Sequence, residues 1–292
     1  MTKDKHHYAI GFIQTMIVKF KSNRYKKDLP VDDNYWDKLT KKNKTTGTID
    51  LIISTFDQLM RIHCVEYLFE DIIRFDIKKS KLLDFGCGKG DFIFHFTNSF
   101  GYILGFDISK EILKLAEKKL KGLSNVSLSN SLDNISEKFD IVISITVMQH
   151  ILDDGELVKT LTKISELMNK NAYLIALEFF DIESFHIKQP NYIKTRSLEQ
   201  WQRLFSIAGF ELIETRNFYN PYLIKTHSFI QYMEEIKLIK LFYKILKRLK
   251  LKPTFLSNLL KRHAEKIIDK EPMPDGFVNV DSFSKFIICK KK

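Results

Sequence analysis

The sequence predicts an α/β fold, with an open, mostly parallel sheet and helices on both of its faces. Two observations support this prediction. From about residue 79, short apolar segments alternate with segments of helical periodicity, which is typical of parallel βαβ units. The segment FDIVISITV, residues 139–147, is almost continuously apolar and β-branched, as a strand buried on both faces of a sheet should be.

Seven strands and their helices follow in order along the chain. The predicted strands are KLLDF, GYILGFD, NVSLSN, FDIVISITV, NAYLIALEFF, FELIETRNF and SFSKFIICKK. Helices are predicted after Gly90, after Ser109 as N-cap, from about Asp154 as N-cap, and after Ser197, where SLEQ forms a capping box with Gln200. Four of the connections between successive strands therefore contain a predicted helix.

Three parts of the chain are predicted from this pattern. Residues 1–78 form a helical N-terminal extension, residues 79–218 with 282–292 form the α/β core, and residues 219–281 form a helical insertion between the last two strands. The insertion is too long for a hairpin loop, so it is interpreted as a subdomain.

The net charge of +11 favours an anionic partner, either a phosphorylated small molecule, a nucleic acid or an anionic membrane surface. Residues 236–262 carry nine basic and no acidic residues at helical spacing, so this segment could contact a membrane, bind an anionic substrate or serve as a lid. No stretch is apolar enough to span a bilayer. Three well-separated cysteines, without a CxxC pair, indicate a reducing, cytoplasmic compartment and no metal site.

The stretch LLDFGCGKGDF places three glycines directly after the first strand. In an open α/β sheet, ligands bind beyond the carboxyl ends of the strands, and glycine lets the backbone approach a ligand closely. Asp107 ends the second strand, where a carboxylate can accept both hydroxyls of a ribose. Asp91 occupies the third position of a G-x-G-x-x-G pattern, which disfavours a nicotinamide dinucleotide.

Together, LLDFGCGKG, GFDIS and FDIVISITVMQHI resemble the class I S-adenosylmethionine-dependent methyltransferases. The resemblance covers about residues 79–218 and the last strand. It implies a Rossmann-like sheet of seven strands whose last strand is antiparallel, methyl transfer as the activity, and S-adenosylmethionine as the cofactor.

The resemblance also implies roles for individual residues. Asp84 and the loop of Gly86, Cys87 and Gly88 would hold the methionine end of the cofactor, and Asp107 would bind the ribose. At the adenine, Ile108 would pack on the ring, and either Asp133 or Ser131 with the Leu132 backbone would meet the amino group. Ile145 lies within the end of the fourth strand, residues 144–146, which would face the methionine portion. Arg61 would contact the cofactor carboxylate.

The acceptor is predicted to be a small, anionic or glycosidic molecule such as a sugar, a nucleotide sugar or a polysaccharide or secondary-metabolite precursor. Methylation of oxygen is favoured over nitrogen, with His150 as the candidate base because histidine titrates near neutral pH. By topology, Glu178 and His186 are also expected to face the site, and Tyr192, in the loop before Ser197, could contact the substrate or cover apolar surface. Two alternatives are an RNA methyltransferase, because of the charge, and a non-catalytic cofactor-binding or membrane-associated scaffold.

Overall fold

The computed structural model describes residues 34–43, 51–181, 191–218 and 284–292, and for residues 42, 43 and 51–57 it describes the backbone only. The chain divides into two compact units. One contains Met1–Lys26, Thr48–Tyr67 and Tyr219–Val280, and the other contains Lys27–Gly47, Leu68–Phe218 and Asp281–Lys292. The predicted basic segment 236–262 and His186 lie outside the described residues.

The second unit is built on one sheet of seven strands in the order β3-β2-β1-β4-β5-β7-β6. Their bounds are β1 Lys81–Phe85, β2 Tyr102–Phe106, β3 Val126–Ser129, β4 Phe139–Ile145, β5 Met168–Phe179, β6 Phe210–Asn217 and β7 Ser284–Lys291. Strands β1 to β5 pair in parallel, and β7 lies antiparallel between β5 and β6. The seven-stranded sheet with an antiparallel last strand is therefore confirmed.

Six helices are described, and their positions agree with the alternating pattern. They are α1 Tyr35–Asn43, α2 Leu51–Ile72, α3 Asp91–Phe96, α4 Lys110–Leu120, α5 Asp154–Glu166 and α6 Leu198–Ile207. None of the helices within the described ranges is long and apolar enough to cross a bilayer.

Side chains on the two faces of the sheet pack against different helices. Leu83 and Phe85 of β1 belong to the large core that also contains buried residues of α5 and α6. On the other face, the missing Cβ of Gly105 would lie 2.5 Å from Ile93 of α3. Helices thus cover both faces, and the carboxyl ends of β1, β2 and β4 meet at one edge of the sheet.

The helix caps follow the local sequence with one exception. The Ser109 hydroxyl accepts the Ile112 N–H, and Ser197 and Gln200 form the reciprocal capping box. The predicted N-cap at Asp154 is wrong by one residue, because Asp153 accepts the Glu156 N–H and caps α5. Asp154 instead accepts from Lys194 and Arg196, so long-range ion pairing decides which of the two neighbouring aspartates caps the helix.

Candidate active site

The turn after β1 forms the floor of the site. Gly86, Gly88 and Gly90 have positive φ values of 82°, 54° and 75°, which non-glycine residues adopt at a cost. The N–H groups of Gly86 and Cys87 both donate to the Phe106 carbonyl at the end of β2, at 2.7 and 2.9 Å. The turn is therefore fixed across the ends of two neighbouring strands.

The space left by the missing side chain of Gly86 is filled by the protein itself. A Cβ built on Gly86 would lie 2.2 Å from a methyl carbon of Val147, the second residue after β4. Close packing of Val147 requires a glycine here, in addition to the positive φ. Packing against Val147 is thus a second reason for a glycine at this position, and the predicted contact of Gly86 with the cofactor stays a prediction.

Replacing Gly86 by alanine is expected to destabilise the protein by about 2–4 kcal/mol, because about 1 kcal/mol of backbone strain adds to the overpacking. Chemical denaturation measures this loss. The double variant Gly86→Ala/Val147→Ala should recover the overpacking part. Gly122→Ala is the matched control, since φ is 92° there and no atom lies within 4 Å of the added Cβ. Equal losses for Gly86→Ala and Gly122→Ala would contradict the steric role of Val147.

Asp84 is a buried acid at the carboxyl end of β1. Its side chain is 2% exposed, and its Oδ2 atom has no hydrogen-bond partner. Burial, together with the neighbouring charges of Asp107 and Asp91, raises the pKa of Asp84 to about 8. A buried polar atom without a partner is unusual and indicates that a ligand completes the site.

A second unpartnered atom lies on the adjacent strand. The hydroxyl of Ser144 is fully buried without a partner, and β1 and β4 pair so that Asp84 lies beside Ile143. Two residues further, Thr146 has a φ of 58°, a left-handed conformation that is strained for a non-glycine residue. The half-buried Ile145 lies between them. These residues fit the polar methionine end of the cofactor.

Asp107 is held in one orientation by the backbone. Its two carboxylate oxygens accept the N–H groups of Gly88 and Ser109, at 3.0 and 2.9 Å. Burial raises the pKa of Asp107 although these two hydrogen bonds oppose the change. A carboxylate has about four acceptor positions, so two remain for the hydroxyls of a ribose.

The residues predicted at the adenine differ in their exposure. Ile108 is 61% exposed, as expected of an apolar side chain that a flat ligand would cover. Ser131 is tied by its backbone to the Ser129 hydroxyl, and Leu132 begins a short turn. The Asp133 side chain is 83% exposed and pairs with Lys163 at 2.9 Å. This pairing favours the Ser131 and Leu132 alternative, although the assignment stays a prediction.

Arg61 lies on the part of α2 that belongs to the other compact unit. Its predicted contact with the cofactor carboxylate stays a prediction. Cys87 lies in the glycine turn, and burial raises the pKa of its thiol well above the ordinary value. Its sulfur packs 2.9 Å from the position of a Cβ on Gly105, so Cys87 contributes to the packing beneath the turn.

Glu178 orders the loop that follows β4. It is fully buried, and its carboxyl oxygens accept the N–H groups of Val147, Met148 and Gln149 at 2.9–3.3 Å. Burial raises the pKa of Glu178 to about 8, against the effect of these hydrogen bonds. The expectation that Glu178 faces the site is corrected: the carboxyl is directed at the loop and holds it in place.

His150 lies at the end of this loop. Its ring packs with three other aromatic side chains to form a group of four, the aromatic tetrad Tyr35, Trp36, His150 and Tyr192. Its Nδ1 lies 2.8 Å from the Tyr192 carbonyl, which can only accept, so Nδ1 carries a proton and Nε2 carries a lone pair. Burial lowers the pKa of His150 to about 4 although this hydrogen bond opposes the shift. The imidazole is therefore neutral at physiological pH.

Helix α1 supplies two members of the tetrad, Tyr35 and Trp36, which were not predicted to lie at the site. Trp36 contacts His150 edge-on at 4.7 Å, and Tyr35 stacks on Tyr192 at 5.8 Å between ring centres. Asp37 accepts the Ser109 hydroxyl at 2.5 Å. The motif YWD was the local signal, but its partners lie more than 70 residues away.

Comparisons with known proteins agree with this geometry. A family profile described as a methyltransferase domain matches residues 76–226. A curated relative, a demethylmenaquinone methyltransferase of Staphylococcus carnosus, is 24% identical over 173 residues, which are 48% of this chain and 72% of the relative.

Two solved structures share the fold at low sequence identity. The first is a phosphoethanolamine N-methyltransferase of Haemonchus contortus in complex with phosphomonomethylethanolamine and S-adenosylhomocysteine, with a TM-score of 0.57 and 17% identity over 90% of this chain and 60% of that one. The second is a magnesium protoporphyrin IX methyltransferase of Synechocystis with bound S-adenosylhomocysteine, with a TM-score of 0.55 and 12% identity over 90% of this chain and 98% of that one.

Proposed function

This chain belongs to the class I S-adenosylmethionine-dependent methyltransferases, and from that premise we propose that it methylates an oxygen atom of a small acceptor. Nitrogen is the second choice. The observation that carries the choice of oxygen is a neutral His150 whose Nε2 keeps its lone pair at the edge of the sheet where the cofactor site lies. A hydroxyl acceptor must lose its proton during transfer, and a neutral imidazole can take it.

We propose that the cofactor is held by Asp84 and the glycine turn at its methionine end and by Asp107 at its ribose. When bound, S-adenosylmethionine supplies a methyl group on a positively charged sulfur. The residues around it need only orient the two reactants and exclude water, because the electrophile belongs to the cofactor. The unpartnered oxygens of Asp84 and Ser144 support this placement.

The proposed acceptor is glycosidic or anionic, with a ring or apolar face beside the hydroxyl. The aromatic tetrad supports the ring face, since small-molecule sites are lined by aromatic side chains with a few polar groups. The related proteins have a quinone precursor, a porphyrin and a phosphorylated amine in their names, so they do not indicate one acceptor class.

We also propose the three-part division into residues 1–78, residues 79–218 with 282–292, and residues 219–281. The basic segment 236–262 would contact an anionic acceptor or a membrane surface, in keeping with the net charge of +11. The same charge supports the alternative of an RNA acceptor. Methyl transfer from labelled cofactor to sugars, nucleotide sugars, phosphorylated amines and RNA tests these classes directly, and transfer to RNA alone would refute the small-molecule proposal.

Replacing His150 by glutamine is expected to lower kcat by about tenfold to a hundredfold. This effect is at or below the smallest usual contribution of a general base, because a pKa of about 4 makes His150 a weak base. Calorimetric affinity for S-adenosylmethionine should be unchanged. In the wild type, protonation of His150 should reduce kcat only as the pH falls toward about 4. A wild-type kcat for His150→Gln would contradict the role of His150 as base.

A further inference from the structure

We propose that helix α1 is a cofactor-responsive wall of the acceptor site, in which Asp37 positions Trp36 and Tyr35 through Ser109. This inference rests on the proposed function, since it assumes that the ribose binds Asp107 and that the acceptor approaches His150. It adds a connection between the two halves of the site, and it gives Asp37 the role of a positioning residue.

Ser109 links the ribose carboxylate to α1. Its backbone N–H donates to Asp107 at 2.9 Å, while its hydroxyl donates to Asp37 at 2.5 Å. The same hydroxyl accepts the N–H of Ile112 and caps α4. Ser109 is only 3% exposed, so no water can readily replace either partner. A movement of Asp107 is therefore transmitted to Asp37 through a single buried residue.

The negative charge of Asp37 also acts directly on Asp107, and it raises the pKa of that carboxyl. Burial on its own would raise the pKa of Asp37, but hydrogen bonds from Ser109 and Glu111 and the charges of Lys41 and Lys114 more than offset it, so the net shift is downward. Asp37 is thus ionised, and its charge contributes to raising the pKa of Asp107. Hydroxyl donors on Asp107 would change the hydrogen bonding of this carboxylate, and Ser109 would pass that change on to Asp37 and α1.

The aromatic tetrad connects α1 to the acceptor side of the proposed site. Trp36 precedes Asp37 directly, and its ring lies edge-on to His150 at 4.7 Å. Tyr35 is 5% exposed and stacks on Tyr192, whose carbonyl holds the His150 ring. A shift of α1 therefore changes the surroundings of the proposed base and the surface that an acceptor would meet.

Trp36 itself reports on this movement, because the chain has only one other tryptophan, the fully buried Trp201. S-adenosylhomocysteine is the probe, so no acceptor has to be known. We expect saturating S-adenosylhomocysteine to change the tryptophan emission of the wild type and to leave the emission of Trp36→Phe unchanged. Calorimetry in parallel gives the affinity of each variant.

Asp37→Ala is the decisive variant. It should keep the wild-type affinity for S-adenosylhomocysteine but lose most of the emission change, and Asp37→Asn should lose part of it. Glu117→Ala, which removes an exposed carboxylate from α4, the helix that Ser109 caps, should behave as the wild type. These variants separate a loss of connection from a general loss of negative charge near the site.

Three outcomes would overturn the inference and leave the proposed function intact. If S-adenosylhomocysteine binds the wild type but Trp36 emission does not change, α1 does not respond to the cofactor. If Asp37→Ala keeps the full emission change, Asp37 does not transmit the response. If Asp37→Ala abolishes binding, Asp37 belongs to the cofactor site itself. Absence of binding to the wild type would instead refute the proposed function, and this inference with it.

Discussion

Replacing Asp84 by asparagine is expected to make the ligand-free protein more stable and to remove most of its affinity for S-adenosylmethionine. Both effects come from the same feature, a buried acid whose pKa is raised to about 8. Asparagine has nearly the same shape and carries no charge that burial would disfavour. The two changes should therefore appear together, with opposite sign.

The stability effect has a definite dependence on pH. The pKa of Asp84 is 3.8 in the unfolded reference and about 8 in the folded protein. Between these values the unfolded chain releases its proton while the folded protein keeps it, so the free energy of unfolding falls as the pH rises. The slope is about 1.4 kcal/mol per pH unit at most. Below pH 4 the wild type and Asp84→Asn should be equally stable, and near pH 8 the variant should be more stable by a few kcal/mol.

The binding effect follows from the positive charge at the methionine end of the cofactor. Removing one partner of a buried charge pair costs about 2–5 kcal/mol, so the affinity of Asp84→Asn should fall at least about thirtyfold. In the wild type, the affinity should rise with pH up to about 8, because binding requires the ionised acid. Calorimetry across this pH range measures both quantities.

Asp140→Asn is the control for Asp84→Asn. Asp140 lies at the opposite end of the sheet, where it accepts the Lys81 N–H and the Asn169 amide. This variant should lose stability and keep its affinity. A destabilised Asp84→Asn that binds S-adenosylmethionine normally would show that Asp84 has a structural role, and the assignment to the methionine end would be wrong.

Replacing Asp107 by alanine is expected to weaken S-adenosylmethionine binding by about a hundredfold to ten-thousandfold. Two hydroxyls of the ribose would each lose a hydrogen bond to a charged acceptor, at about 1.5–3 kcal/mol per bond. Gly88 and Ser109 already fix the orientation of this carboxylate, so binding to the wild type costs no entropy for ordering it. The loss in the variant should therefore be large. Calorimetric titration of S-adenosylmethionine and S-adenosylhomocysteine measures it.

The variant also loses two internal hydrogen bonds, which a control must account for. Asp140→Ala loses two hydrogen bonds as well, one from a backbone N–H and one from an amide side chain. Its unfolding free energy should fall by a similar amount, whereas its affinity should not change. Asp107→Asn retains one acceptor oxygen and should bind with intermediate affinity. Equal affinities of Asp107→Ala and Asp140→Ala would contradict the ribose assignment.

The parts of this protein that the sequence predicted well are those decided by near neighbours. The apolar face of α4, with Ile112, Leu113, Ala116 and Leu120, is buried as its spacing predicts. The capping box of Ser197 and Gln200 spans only three residues. In both cases the interacting residues lie within one or two helical turns, so local periodicity and capping chemistry contain the answer.

The contacts that complete the site are decided by distant residues, and the sequence did not reveal them. Asp37 and Ser109 are 72 residues apart, and Glu178 bonds to amides about 30 residues away. A backbone N–H has no sequence signature, so a carboxylate that binds three of them looks the same as one that faces a ligand. The same is true of Val147 against Gly86, where the close contact depends on the pairing of β1 with β4.

The position of β7 has a consequence for how the protein is made. Strand β6 pairs only with β7 in the described sheet, and residues 218–283 separate the two in the chain. On the ribosome, β1 to β5 can pair as they emerge, but β6 must wait with unpaired amides until Phe286, Ile287 and Ile288 have left the exit tunnel. Unpaired strand edges promote association between nascent chains. Efficient production of this enzyme should therefore depend on how quickly the segment before β7 is translated and on chaperones that cover the open edge of β5.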